Sequence, residues 1–61
     1  MNIRKLREKR GLSQEKLARL ADVANNTIIK IESGENPNPT INTLERIAKA
    51  LGVSIEKLFK E

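Results

Sequence analysis

The chain has 61 residues, a net charge of +4, and neither cysteine nor histidine. That length allows one domain, residues 1–61, burying roughly 60% of its unfolded surface. The missing residue types exclude disulfides, thiolate metal sites, and the commonest general base and zinc ligand, so neither a metal nor a cofactor is expected.

Helical periodicity runs almost from end to end. Ile3 and Leu6 mark the buried side of a first helix, which Gly11 should end as a left-handed residue. Ser13 is placed to cap a second helix through its hydroxyl, although Lys16 stands where Glu or Gln would complete a capping box. Leu17, Leu20 and Ala21 form the apolar stripe of that helix, with Ala18 beside them. The small residues Ala18 and Ala21 would let the next helix cross closely.

After the tight connector Asp22-Val23-Ala24, a third helix should run from about Asn25 to Ser33, with Gly34 ending it. Ala24, Ile28 and Ile31 would face the core, leaving Asn25, Asn26, Ile29, Lys30 and Ser33 on the opposite side. Pro37 and Pro39 exclude helix from Glu35 to Pro39, because each lacks an amide donor and biases its predecessor toward extended geometry. Thr40 then caps a fourth helix with Ile41, Leu44, Ile47, Ala48 and Leu51 at helical spacing. Gly52 stops it, and Ser54 caps a short fifth helix carrying Ile55, Leu58 and Phe59. No alternating run or hairpin turn signals a strand. The expectation is an all-α domain of five short helices.

A short helix presenting amide and cationic groups outward, held at a fixed angle by a second helix, suits the reading of base edges in a DNA major groove. Charge agrees with that reading. Up to Ile31 eight cationic residues face three acidic ones, whereas from Glu32 onward four face five. A polyanion partner explains the asymmetry, although the cluster from Arg4 to Arg10 reads equally well as a solvated helix face. No apolar run approaches the ~18 residues of a membrane span and no signal-peptide pattern opens the chain, so a cytoplasmic location with no membrane partner is expected.

An enzyme is the weakest class. Glu8, Glu15, Asp22, Glu32, Glu35 and Glu45 are scattered among basic residues with no nucleophile–base pair and no ligand-spaced cluster. Gly11, Gly34 and Gly52 each stand at a helix end, so none builds a phosphate-cradling loop.

The run Leu12-Ser13-Gln14-Glu15-Lys16-Leu17-Ala18, the ending Ile31-Glu32-Ser33-Gly34 and the block from Ile47 to Ser54 together resemble the phage repressor and Cro-like helix-turn-helix domains, the XRE-type regulators. The resemblance covers about residues 3 to 59. It implies a compact five-helix fold, sequence-specific binding of double-stranded DNA by a repressor-like transcriptional regulator, and a homodimer on paired half-sites about 34–36 Å apart. Residue by residue, it implies base contacts from Asn25, Asn26, Lys30 and Ile29. Asparagine pairs with adenine N6 and N7, and lysine donates to guanine O6 and N7. It implies phosphate contacts from Gln14, Thr27, Ser33, Asn36 and Asn38. Free amides at a helix start plus a carboxamide donor suit a phosphate oxygen at Gln14. Arg7 and Glu32 match a pair that bridges helix one and helix three in some phage repressors. Ile55, Leu58 and Phe59 are the expected dimer contact, being hard to bury in so small a core.

Three residues or segments depart from the family pattern. Ala24 stands where Ser or Thr often caps the reading helix, losing a bond typically worth ~1 kcal/mol. The connector carries Glu35, Asn36 and Asn38 where strongly binding phage repressors often have Lys or Arg, which implies a shallower salt dependence. Ile29 is apolar on the outward face, suited to a thymine methyl, to a protein partner, or simply to exposure. A protein-interaction module of the same fold, antitoxin-like or an adaptor, is therefore the alternative function.

Overall fold

A computed structural model describes residues 1–60. Four α-helices follow in order: α1 Ile3–Lys9, α2 Gln14–Ala21, α3 Asn25–Ser33 and α4 Ile41–Leu51. The fifth element, Ile55–Phe59, is a 3₁₀ helix. The i→i+3 bond from the Lys57 amide to the Ser54 carbonyl, at 3.0 Å, winds it that way, as is usual for so short a piece. No strand occurs among the described residues.

Side chains cap two of the helix starts, and Ser54, expected to cap the fifth element, makes no side-chain capping bond. Ser13 Oγ accepts from the Lys16 amide at 3.0 Å and Thr40 Oγ1 from the Thr43 amide at 3.1 Å, whereas Ala24 leaves α3 with no side-chain cap. At the helix ends, Gly34 and Gly52 take the left-handed conformation. The end of α2 is different: Asp22 adopts φ 57°, ψ 47° and is the only non-glycine residue at positive φ among the described residues. Aspartate tolerates this region better than most side chains. Arg46 of α4 holds the turn, donating from Nη1 to the Asp22 carbonyl at 3.0 Å.

The core is built from Ile3 and Leu6 of α1, Leu17, Ala18 and Ala21 of α2, Ile28 and Ile31 of α3, the α4 stripe, and Leu58. Helix α2 packs against both α3 and α4, and the 3₁₀ helix against α4. The methyl side chains at Ala18 and Ala21 are buried in that arrangement.

Three apolar positions expected inside lie outside. Leu20 is 53% exposed; at 100° per residue it sits roughly 100° around α2 from the centre of the buried face. Ile41 is 62% exposed, because it opens α4 and its turn overhangs the core. Ala24 is exposed as the residue that precedes α3.

Candidate nucleic-acid interface

Helix α3 buries Ile28 and Ile31, and this fixes which side chains point away. Asn25, Asn26, Lys30 and Ser33 are exposed, Thr27 is half-buried, and Ile29 is 38% exposed. With its side chains an α-helix is about 10–12 Å across, which matches the ~12 Å width of a B-DNA major groove. Its outer face therefore offers two carboxamides, one ammonium and one branched apolar side chain on a body small enough to enter the groove.

A buried polar cluster sets the position of α3 against α1 and α2. Glu32, its side chain 4% exposed, accepts from Arg7 Nε at 2.7 Å and Arg7 Nη2 at 3.1 Å. It also accepts from Gln14 Nε2 at 3.0 Å. Arg7 spends a third donor, Nη1, on the Leu12 carbonyl at 2.7 Å, which ties the α1–α2 connector into the same unit. Hydrogen bonding to Glu32 holds the Arg7 guanidinium above its ordinary pKa; desolvation opposes this, and the charges of Glu32 and Glu8 reinforce it. One carboxylate thus joins three elements through charge-assisted bonds, the stronger kind.

The start of α2 adjoins this cluster. Ser13 satisfies the Lys16 amide, while the first amides of the helix have no intrahelical acceptor. Gln14 keeps its carboxamide oxygen and one N–H uncommitted after the bond to Glu32. A shallow depression of about 460 Å³ runs between α3 and the α1–α2 side, lined by Arg4, Arg7, Ser13, Gln14, Ile29, Glu32 and Ser33.

The structure changes the standing of several expected residues. Ser33 Oγ donates to the Lys30 carbonyl at 3.2 Å and accepts from the Glu35 amide at 3.3 Å, so its hydrogen is already committed within the chain. Asn36 is half-buried beyond α3 and Asn38 is exposed. Leu58 cannot serve a dimer contact. Its side chain is fully buried in the core, and the Asn2 amide donates to its carbonyl at 2.7 Å. Of the three residues expected there, Ile55 packs partly against the core and Phe59 is 55% exposed. The Arg46–Asp22 clamp and the Gln14–Glu32 bond were not visible in the sequence, since neither partner carries a local signal for the other.

A Helix-turn-helix family model matches residues 3–58. This chain belongs to the helix-turn-helix family of the XRE type. Relatives bear the membership out along nearly the whole chain. The cryptic phage CTXphi transcriptional repressor RstR of Vibrio cholerae is 39% identical over 59 residues, covering 97% of this chain and 52% of RstR. The HTH-type transcriptional regulator PuuR of Escherichia coli is 34% identical over 56 residues, 92% of this chain. The chain spans only 30% of the length of PuuR. Among solved structures, the N-terminal DNA-binding domain of the master biofilm regulator SinR from Bacillus subtilis superposes with a TM-score of 0.84 at 36% identity. That match covers 97% of this chain and 86% of the SinR domain. In this helix-turn-helix chain, α2 and α3 are the paired helices and Asp22-Val23-Ala24 is the turn.

Proposed function

We propose that this chain is a sequence-specific double-stranded-DNA-binding regulator, repressor-like in action, that lays α3 in the major groove and acts as a homodimer in the cytoplasm. The observation that carries this reading is the polar outer face of α3, braced from behind by the buried Arg7–Glu32–Gln14 cluster. Rigid placement matters because base readout depends on hydrogen bonds short enough and straight enough to discriminate.

In this reading Asn25, Asn26 and Lys30 address base edges and Ile29 meets a thymine methyl. Gln14 and the free amides at the start of α2 take one phosphate, while Thr27, Asn36 and Asn38 take others through neutral donors. Ser33 contributes only as an acceptor or through water. Phe59, with the outer edge of Ile55, forms the dimer contact. The role is binding alone, with no chemistry performed on the DNA.

Selection of bound sites from random duplex DNA, with stoichiometry measured on the winning site, tests the proposal. A defined half-site repeated one helical turn apart and bound by two chains is the expected result. Binding that is insensitive to salt on every duplex would refute it and favour an apolar protein-docking role.

A further inference from the structure

The basic cluster on α1 divides into two sets. Arg4 and Arg7 line the depression beside α3, and both have carboxylate partners: Glu8 at 3.5 Å and Glu32 at 2.7 Å. Lys5 and Lys9 lie upward of about 100° around the helix from them. There they line a second depression of about 500 Å³ with Asn2, Leu6, Lys57 and Lys60. Four exposed lysines from opposite ends of the chain thus converge on one face, and among the described residues no carboxylate lies within 4.0 Å of any of them. Bringing four like charges together costs free energy unless an anion joins them.

The floor of this depression speaks against an apolar partner. Leu6 is its one apolar residue and is only 8% exposed, while the exposed Phe59 is not part of it. No exposed large apolar side chain lines the depression. Flexible ammonium groups carried on alkyl stems around a shallow depression suit phosphates repeated along a backbone, where no fixed fork geometry is required.

We propose that Lys5, Lys9, Lys57 and Lys60 form a second, sequence-independent binding face for the phosphodiester backbone of another DNA segment. One chain would then hold one duplex with α3 and a second with the opposite side of α1. The proposal rests on α3 reading the first duplex.

The test is an NMR titration in two stages. Labelled protein is first saturated with a short duplex carrying its selected site and then titrated with a random duplex. The second stage should move the amides around Lys5, Lys9, Lys57 and Lys60 and leave α3 unchanged. With four phosphates neutralised, this second affinity should fall roughly a hundredfold between 50 and 200 mM salt. The variant K5Q/K9Q/K57Q/K60Q, checked for an unchanged melting curve, should keep the parent's preference for the selected over a random duplex in the first stage and lose the second binding event. Unaltered second binding in that variant, lysine shifts already complete in the first stage, or shifts with anionic vesicles or polyglutamate but not with DNA would each overturn the proposal. Failure of the reading helix itself would show separately, as absent α3 shifts in the first stage.

Discussion

Replacing Glu32 with leucine should be among the most damaging single changes in this chain. The substitution strands Arg7, whose side chain is 11% exposed, without the carboxylate that accepts two of its donors, and also frees Gln14 Nε2. Breaking a buried ion pair from one side costs roughly 3–5 kcal/mol, because the remaining charge is uncompensated. A chain of 61 residues has about 3–9 kcal/mol of stability in all. Even the lower cost, about 3 kcal/mol, corresponds to a fall in melting temperature of roughly 12–24 °C. The partner variant R7M should lose a comparable amount, since it leaves Glu32 buried with one neutral donor and the Leu12 carbonyl without its bond.

The double variant R7M/E32L removes both charges and keeps the volume, so it should return to within about 2 kcal/mol of the parent, the deficit coming from the Leu12 carbonyl and the Gln14 carboxamide left without their bonds. Thermal and urea unfolding followed by circular dichroism give all four corners of the cycle. A coupling energy below about 0.5 kcal/mol, the level seen for independent sites, would refute the reasoning.

Three further outcomes follow from local geometry. Ala24 has φ −67° and ψ 143°, close to the capping residues Ser13 and Thr40, so Ala24→Ser should supply the missing cap and stabilise by ~1 kcal/mol in the same unfolding assay. Gly52→Ala should destabilise by about 1–2 kcal/mol, because Gly52 sits at φ +71°, and Arg10→Ala should not rescue it. The Arg10 guanidinium 3.1 Å from the added methyl is flexible, whereas the backbone strain is not. Gln14→Ala should weaken binding to random as well as selected DNA, measured by fluorescence anisotropy, as expected of a phosphate contact, and the selected duplex somewhat more, because it also removes one bond to the Glu32 that braces α3.

Much of the fold is written locally. The start and end of α3, the caps at Ser13 and Thr40, and the stops at Gly34 and Gly52 each depend on a residue and its near neighbours, and all of them appear in the structure. The fifth helix was legible in place and not in type, since five residues after a serine fit a 3₁₀ turn as well as an α one. Burial was less legible than periodicity. Leu20 and Ile41 obey the helical repeat yet lie outside, Leu20 at roughly 100° from the centre of the buried face of α2 and Ile41 as the first residue of α4. Leu58 shows the reverse, filling the core formed by residues distant in sequence, with its carbonyl bonded to the Asn2 amide at the far end of the chain.

At the candidate interface, the outward residues of α3 could be named from spacing alone. The contacts that brace it could not be derived from spacing. Arg7 and Glu32 were paired through family resemblance. The third bond of Glu32, to Gln14, and the reach of Arg46 to the Asp22 turn became apparent only with the helices packed.

The proposed function stands on base-edge readout by the outer face of α3. Measuring the affinities of the parent and of the Asn26→Ala and Lys30→Ala variants for the selected duplex and for a random one tests it most directly. Each variant should lose roughly 1–3 kcal/mol on the selected duplex and much less on the random one, with helicity unchanged. Equal affinities for the selected duplex in all three proteins would contradict the account.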